Sequence, residues 1–367
     1  MKWFFVFVVV VHGLIHLMGF AKAFRLAEIA QLTAPISRAA GVLWLVAAAL
    51  FLVAAVLVFA APSWWWVPAA GAVLTSQTLI VSSWRDARFG TIANVIVLIP
   101  LVIAMLDHAP WSFRSSYERE VGRGLARKAE APVLTEADVA KLPAPVQRYL
   151  RYVGVIGKAR VRSLRAQFRG QIKSSPDAGY MDFTAVQTSF FDEPTRLFLL
   201  DAGMAGIPFS AWHAYVGPSA TMKVEVASLI TMVDAKGPEM NRSETVTMLN
   251  DMCILAPATL AGEHIRWEEI GPLSVKATYT QAGNTVSAVL LFNEAGELTG
   301  FHSDDRYQSA DGKEYKQYRW STPVHDYRDF GGVRLASRGE AIWDMPAGPL
   351  EYGRFELVSL EYDIGPR

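Results

Sequence analysis

The chain predicts a four-helix transmembrane bundle followed by an α+β soluble domain, a curved antiparallel sheet or half-barrel with a packed helix. Three observations predict it. Residues 1 to about 108 are overwhelmingly apolar, whereas the chain from about residue 112 reads as an ordinary soluble protein. Four apolar stretches of the first part each approach the ~20 residues a helix needs to cross a hydrocarbon core. After Gly157 the apolar period changes to the two-residue alternation of strands.

The spans read as about 3–21, 39–60, 64–83 and 89–107, giving a transmembrane domain over 1–108. No small-x-small cleavage site follows the first, and three more come after it, so it is not a removed signal. Trp64, Trp65 and Trp66 suit the headgroup layer, and Pro62 and Pro68 bracket them as a turn. Lys22, Arg25 and Arg38 follow span one, and Arg85 and Arg88 follow span three, while the loop after span two has no basic residue. That bias puts both basic loops in the cytoplasm and the C-terminal domain outside a bacterial inner membrane. Lys2 and the basic stretch 114–128 lie on the opposing side of that count. Arg119, Arg123 and Arg127 share a helix face there, an anionic-lipid stripe or, the favoured reading, a solvated face.

His12 and His16 interrupt span one. Four residues apart, they share a face that looks into the bundle. A metal, a haem axial site or a proton or quinone relay would each suit such a pair. So would plain packing, with the imidazoles hydrogen-bonded to Ser76, Gln77 or Asn94. The sequence favours packing, since no HExxH pattern and no nearby third ligand accompany the pair. His12, His16, Gln77 and Asn94 are the expected intramembrane polar site, with its metal content open and no cofactor called for. The span pattern, closed by GFAKAF at 19–24, resembles small four-helix membrane proteins of the DoxX type.

Charges balance, 35 basic against 35 acidic, so no nucleic-acid partner is expected. The single cysteine, Cys253, excludes an internal disulfide. Residues 109–141 read as a polar helical linker, and 142–367 as the β-rich domain. Val146, Tyr149, Leu150 and Val153 make one apolar face of a short helix ended by Gly154. Tight turns are expected at 282–283, at Asn293–Gly296, at Asp311–Gly312 and at Gly331–Gly332. Lys158, Arg160 and Arg162 alternate against Arg165, Arg169 and Lys173, which predicts one long strand with a bulge near Ser163. One helix, 241–257, is expected to start at a Ser243 N-cap with Glu244 in its first turn and to bury Cys253 as an inert thiol.

No hydrolase elbow, phosphate loop, dinucleotide fingerprint or zinc spacing is present. His302 with Asp304 and Asp305, His325 with Asp326, and Glu263 with His264 are the nearest acid–imidazole groupings, a minimum kit for acid–base chemistry. No catalytic residue is assigned. The runs WSTPVHDY (320–327), GEAIW (339–343) and EYD (361–363) resemble an uncharacterised bacterial family that pairs this region with N-terminal membrane helices. The likeness implies fold and context, not chemistry. The strand-rich layout also resembles lipoprotein carriers of the LolA type, which implies a curved sheet around a greasy cavity under a lid helix. Phe183, Phe191, Phe198, Met204, Phe209 and Trp212 are the expected ligand-binding residues, and 199–213 a mobile, glycine-broken segment at the mouth. An ordinary solid core is the competing reading of the same aromatics.

The expected function is a membrane-anchored, extracytoplasmic, non-catalytic binding protein for a lipid or other lipophilic molecule, with the bilayer as its other partner. The alternatives are a redox, metal or haem protein using His12 and His16, or a hydrolase in the soluble domain.

Overall fold

The structure, a computed structural model, describes residues 2–127, 131–204 and 207–365. It divides into two compact units, residues 1–109 and 110–367.

The first unit is helical. Helices α1 (Lys2–Ala23), α2 (Arg38–Ala60), α3 (Trp66–Ser82) and α5 (Gly90–Asp107) carry the apolar stretches, and α4 (Trp84–Ala87) is a short turn before α5. Three of them, α1, α2 and α5, are long and apolar enough to cross a membrane; α3 is apolar but has 17 residues. Small residues let α1 and α2 approach closely: a Cβ on Gly19 would fall 2.2 Å from the Trp44 ring, and one on Gly13 2.9 Å from Phe51 Cβ. The two basic loops meet at one end of the unit, where Asp86 accepts from the Thr33 amide at 2.5 Å and the Ala34 amide at 3.1 Å.

The second unit holds one 13-stranded sheet in which every neighbouring pair is antiparallel. Strands β1 (Ser163–Ile172), β2 (Met181–Phe190), β3 (Thr195–Met204), β4 (Ile207–Val216), β5 (Ser219–Val226) and β6 (Ile230–Lys236) run as a meander outward to one edge. Helix α9 (Pro238–Ile254) and a 3-10 turn (Pro257–Ala261) then carry the chain to the other edge. From there β7 (Ile265–Gly271), β8 (Ser274–Gln281), β9 (Asn284–Phe292), β10 (Leu298–Ser303), β13 (Arg319–Asp329), β14 (Arg334–Met345) and β15 (Gly348–Tyr362) return inward, and β15 pairs with β1. Strands β11 (Tyr307–Gln308) and β12 (Lys316–Gln317) form a separate ribbon.

The sheet must curl. Helix α9 contacts both β5 and β9, which are nine strand steps apart in the sheet order. A flat sheet at ~4.8 Å per step would separate them by about 43 Å. A helix of 17 residues is about 25 Å long and about 10 Å across. Both strands reach it only because the sheet wraps around it.

Local chemistry explains the turns. The β8–β9 turn has Ala282 at φ 49° and Gly283 at φ 82°, the left-handed pair that matches strand twist. The β13–β14 turn uses Gly331 and Gly332 in the same region. Helix α8 (Ala144–Val153) buries Val146, Tyr149, Leu150 and Val153 and ends on left-handed Gly154, as its spacing predicts.

Four expectations change. The linker stretch is not free of the sheet unit: α6 (Phe113–Leu125) packs Phe113, Tyr117 and Val121 against Leu197, Leu199 and Trp212, and a one-turn helix α7 (Glu136–Val139) follows behind a Thr135 capping box. The basic residues of α6 hide this apolar stripe in a sequence pattern. The charged run 158–162 precedes the sheet, with Ala159 in an isolated bridge to Val133, so β1 starts at Ser163 and needs no bulge there. The irregular pairing lies instead between Gln167 and Phe168, opposite Val358. Segment 199–213 is two regular strands whose hairpin tip, residues 205–206, lies outside the described residues. Helix α9 begins at Pro238 behind Gly237, five residues before the expected cap.

Gly170 marks the tightest approach in the β1–β15 seam. A Cβ there would lie 1.9 Å from the Arg354 carbonyl oxygen and 2.9 Å from the Phe183 ring. Gly170→Ala is expected to cost about 1–3 kcal/mol by forcing the seam apart. Gly179→Ala, with nothing within 4 Å of the new atom, should be near neutral. The lone thiol Cys253, 0 % exposed, reads both out: its labelling in urea reports opening of this unit alone.

Candidate functional site

A cavity of about 190 Å³ lies between α9 and the inner face of the sheet. It exists because α9 presents a polar stripe where a lid helix would ordinarily be greasy. Glu244, Thr247, Asp251 and Ile254 stand at i, i+3, i+7 and i+10 and line it together. Opposite them, β3 turns Arg196, Phe198 and Leu200 inward, β4 supplies Ala211 and His213, and β1 supplies Phe168 and Ile172. Phe355 and Leu357 of β15 complete an apolar wall.

The polar end is a buried ion cluster. Arg196 donates from Nε to Asp251 Oδ2 at 2.6 Å, from Nη1 to Glu244 Oε2 at 3.2 Å and from Nη2 to Gln187 Oε1 at 3.3 Å. Gln187 Nε2 donates to Asp251 Oδ2 at 2.8 Å. His213 Nδ1 stands 3.5 Å from Glu244 Oε1, and Arg306 Nη2 stands 3.8 Å from the same oxygen. Burial alone would raise the Glu244 carboxyl. The His213 hydrogen bond and the Arg196 and Arg306 charges overcome it and hold the group down at about 2. For Asp251 burial wins over Arg196 and Gln187, and its carboxyl is raised. Burial, with Asp251 nearby, also raises the Cys253 thiol far above its ordinary range, which keeps it inert.

The expected ligand residues are spread over three places. Phe198 lines the cavity. Phe183 and Phe209 share its apolar cluster, Phe183 lying 5.2 Å from the Phe355 ring. Phe191 packs beside Leu255 and Leu164 instead. Trp212 sits on the opposite face under α6, 6.0 Å from Tyr117. Met204 closes β3, and its side chain lies outside the described residues. Sequence reasoning missed Arg196, Glu244, Asp251 and Arg306. The available signal was two acids seven residues apart on a helix expected to be buried.

The acid–imidazole groupings are engaged elsewhere. Asp304 takes Arg319 through two bonds of 2.9 and 3.0 Å, and Asp305 takes Arg242 at 2.5 Å and the Ser287 amide at 2.7 Å. Burial, then Arg319, lowers the His302 imidazole. A Glu340 hydrogen bond at 3.1 Å raises that of His325, which is exposed.

In the helical unit the four polar residues form one network. His16 Nδ1 donates to the His12 carbonyl at 2.8 Å, so its Nε2 accepts from Ser76 Oγ at 2.9 Å. His12 Nε2 donates to Asn94 Oδ1 at 3.0 Å, and Asn94 Nδ2 donates to Gln77 Oε1 at 2.9 Å. Both imidazoles also border a second cavity of about 320 Å³ with Trp44 and Phe89. Among the described residues no group of three or more metal-ligating side chains occurs.

Residues 132–355, more than half of the chain and most of the sheet unit, match the profile of the Family of unknown function (DUF6544). The chain belongs to that family. No curated protein matches this DUF6544 chain. Among solved structures it is similar to a DUF1329 family protein from Desulfovibrio piger, at 12 % identity and TM-score 0.36 over 64 % of this chain and 96 % of that one. A LolA superfamily protein from Nitrosomonas europaea matches at 10 % identity and TM-score 0.35, over 61 % and 94 %. A putative outer membrane lipoprotein-sorting protein domain from Vibrio parahaemolyticus matches at 10 % and 0.32, over 56 % and 87 %.

Proposed function

We propose that this DUF6544 protein is a membrane-anchored binding protein for a lipid or other lipophilic molecule and performs no covalent chemistry on it. One observation carries the reading: the DUF6544 sheet wraps its crossover helix and leaves a cavity that is apolar along Phe168, Phe198, Leu200 and Phe355 and polar at one end. A few fixed polar groups in a greasy pocket orient an amphiphile. The apolar helices tether the pocket to a bacterial inner membrane, which raises the local concentration of lipophilic ligand without new contacts. Joining of the two basic loops through Thr33 and Asp86 supports one side of the membrane for both, and the basic bias of those loops is what favours the cytoplasm, with the sheet unit outside. In the helical unit, hydrogen bonds that occupy His12, His16, Ser76, Asn94 and Gln77 together support a packing role for the histidines.

Photocrosslinking tests the pocket. Full-length protein in lipid nanodiscs, irradiated with a diazirine fatty acid, should be labelled in peptides containing Phe168, Phe198 and Phe355 as well as in the helices. Leu200→Trp, which fills the apolar end, should remove the sheet labelling while Cys253 stays protected. Labelling confined to the helices in the unaltered protein would count against the proposal.

A further inference from the structure

Three arginines line the cavity; Arg338 is half-exposed and pairs with Asp326 at 3.3 Å, and the two buried ones, Arg196 and Arg306, are used differently. Arg196 directs Nε, Nη1 and Nη2 to Asp251, Glu244 and Gln187. Arg306 has no comparable set. Its Nη2 lies 3.8 Å from Glu244, beyond hydrogen-bond range, on an oxygen that His213 also approaches. Its Nη1 donates to Tyr352 Oη over a long 3.4 Å. Among the described residues its buried Nε has no partner. What holds the side chain is stacking: the guanidinium lies 4.0 Å from the Trp320 ring centre and 5.4 Å from that of Trp343. Indole faces desolvate a guanidinium without satisfying its in-plane donors.

Tyr352 points the same way. Its oxygen accepts from Trp320 Nε1 at 3.0 Å and from Arg306. Among the described residues no acceptor takes its own hydroxyl proton. Arg306 and Tyr352, both lining the cavity, therefore place under-used donors together. The two carboxylates of the buried cluster, Glu244 and Asp251, are already bound by Arg196. An incoming oxyanion can serve these donors.

We propose that Arg306, with Tyr352 beside it, is the head-group anchor of the cavity, taking the anionic carboxylate or phosphate of an amphiphile whose tail runs along Phe198, Leu200 and Phe355. This rests on the lipophile-binding reading above and adds the charge of the ligand to it. A planar guanidinium suits both head groups, since each offers two oxygens to its fork.

Full-length protein exchanged into amphipol is titrated with the fluorescent fatty acid 11-(dansylamino)undecanoic acid. The probe is then displaced with hexadecanoate, lysophosphatidate or the uncharged hexadecanol. Hexadecanoate or lysophosphatidate should displace it at about tenfold lower concentration than hexadecanol; whichever of the two is stronger identifies the head group. Arg306→Met should weaken binding of the probe, itself a carboxylate, and remove that preference, while the hexadecanol binding constant, corrected for probe affinity, stays unchanged; Arg306→Lys should restore part of the preference. Equal displacement by acid and alcohol in the unaltered protein overturns the anchor but keeps the lipophile pocket. Loss of acid and alcohol alike in a variant whose Cys253 remains protected also overturns it. Binding of neither acid nor alcohol overturns both readings. If Arg306→Met exposes Cys253, the charge preference of the unaltered protein decides alone.

Discussion

Arg196→Ala is expected to destabilise the sheet unit by about 3–5 kcal/mol. The substitution leaves Glu244, whose side chain is 0 % exposed, and Asp251, 11 % exposed, without the cation that binds both. Stranding a charge in the interior costs far more than an ion pair ordinarily contributes, because the remaining carboxylates keep the whole desolvation penalty. Urea-dependent labelling of Cys253 in the full-length protein measures the loss. Arg196→Met combined with Glu244→Gln and Asp251→Asn should recover most of it, since neutral groups of similar size need no counter-charge. A loss below about 0.5 kcal/mol for Arg196→Ala, the range of ordinary surface changes, would show that the cluster does not hold the helix to the sheet.

Acid should unfold this unit through Glu244. Its folded carboxyl sits at about 2 against 4.5 for an ordinary one, because His213, Arg196 and Arg306 outweigh burial. A depressed carboxyl stabilises the native state fully above pH 4.5, and that contribution is lost as pH falls from 4.5 toward about 2. At about 1.4 kcal/mol per pH unit the gap amounts to about 3 kcal/mol. Asp251, raised by burial, has the opposite sign: it disfavours the native state at high pH and ceases to do so as it takes up its proton. The clean comparison is therefore the unaltered protein against Glu244→Gln. Their difference in stability should shrink across pH 4.5 to 2, read with a disulfide reagent that reacts with Cys253 in acid. Parallel curves would remove Glu244 from the acid limb.

The contrast between what the chain spells out and what it conceals follows from the range of each signal. Helix α2, expected at 39–60, runs Arg38–Ala60, because a charge-free apolar run of that length has few other uses. The β8–β9 turn at Ala282 and Gly283 is local chemistry and is equally plain. Strand β3 is not. Leu197, Phe198, Leu199 and Leu200 are all buried, since α6 covers one face and the cavity lies on the other. With both faces apolar, alternation cannot say which side chains meet a ligand, and Trp212, expected at the cavity, lies on the face that α6 covers. The ion cluster was hidden for another reason. Its members at 187, 196, 244, 251 and 306 are spread over β2, β3, α9 and the segment between β10 and β11, and each alone has the signature of a water-facing residue. A helix start at Ser243 makes Glu244 a first-turn residue, whereas in α9, which begins at Pro238, it is a mid-helix group. Ser243 Oγ in fact accepts from the Tyr307 amide at 2.9 Å.

The pairing of β1 with β15 has a consequence for biosynthesis. The first strand to emerge waits for the last: Leu164 meets Tyr362, almost two hundred residues later. Until translation is nearly complete, β1 offers one unsatisfied backbone edge to any passing extended chain. Newly made protein of this design should thus depend on holding factors during synthesis, and a ribosome stalled before residue 348 would release a half-sheet prone to pair with its neighbours.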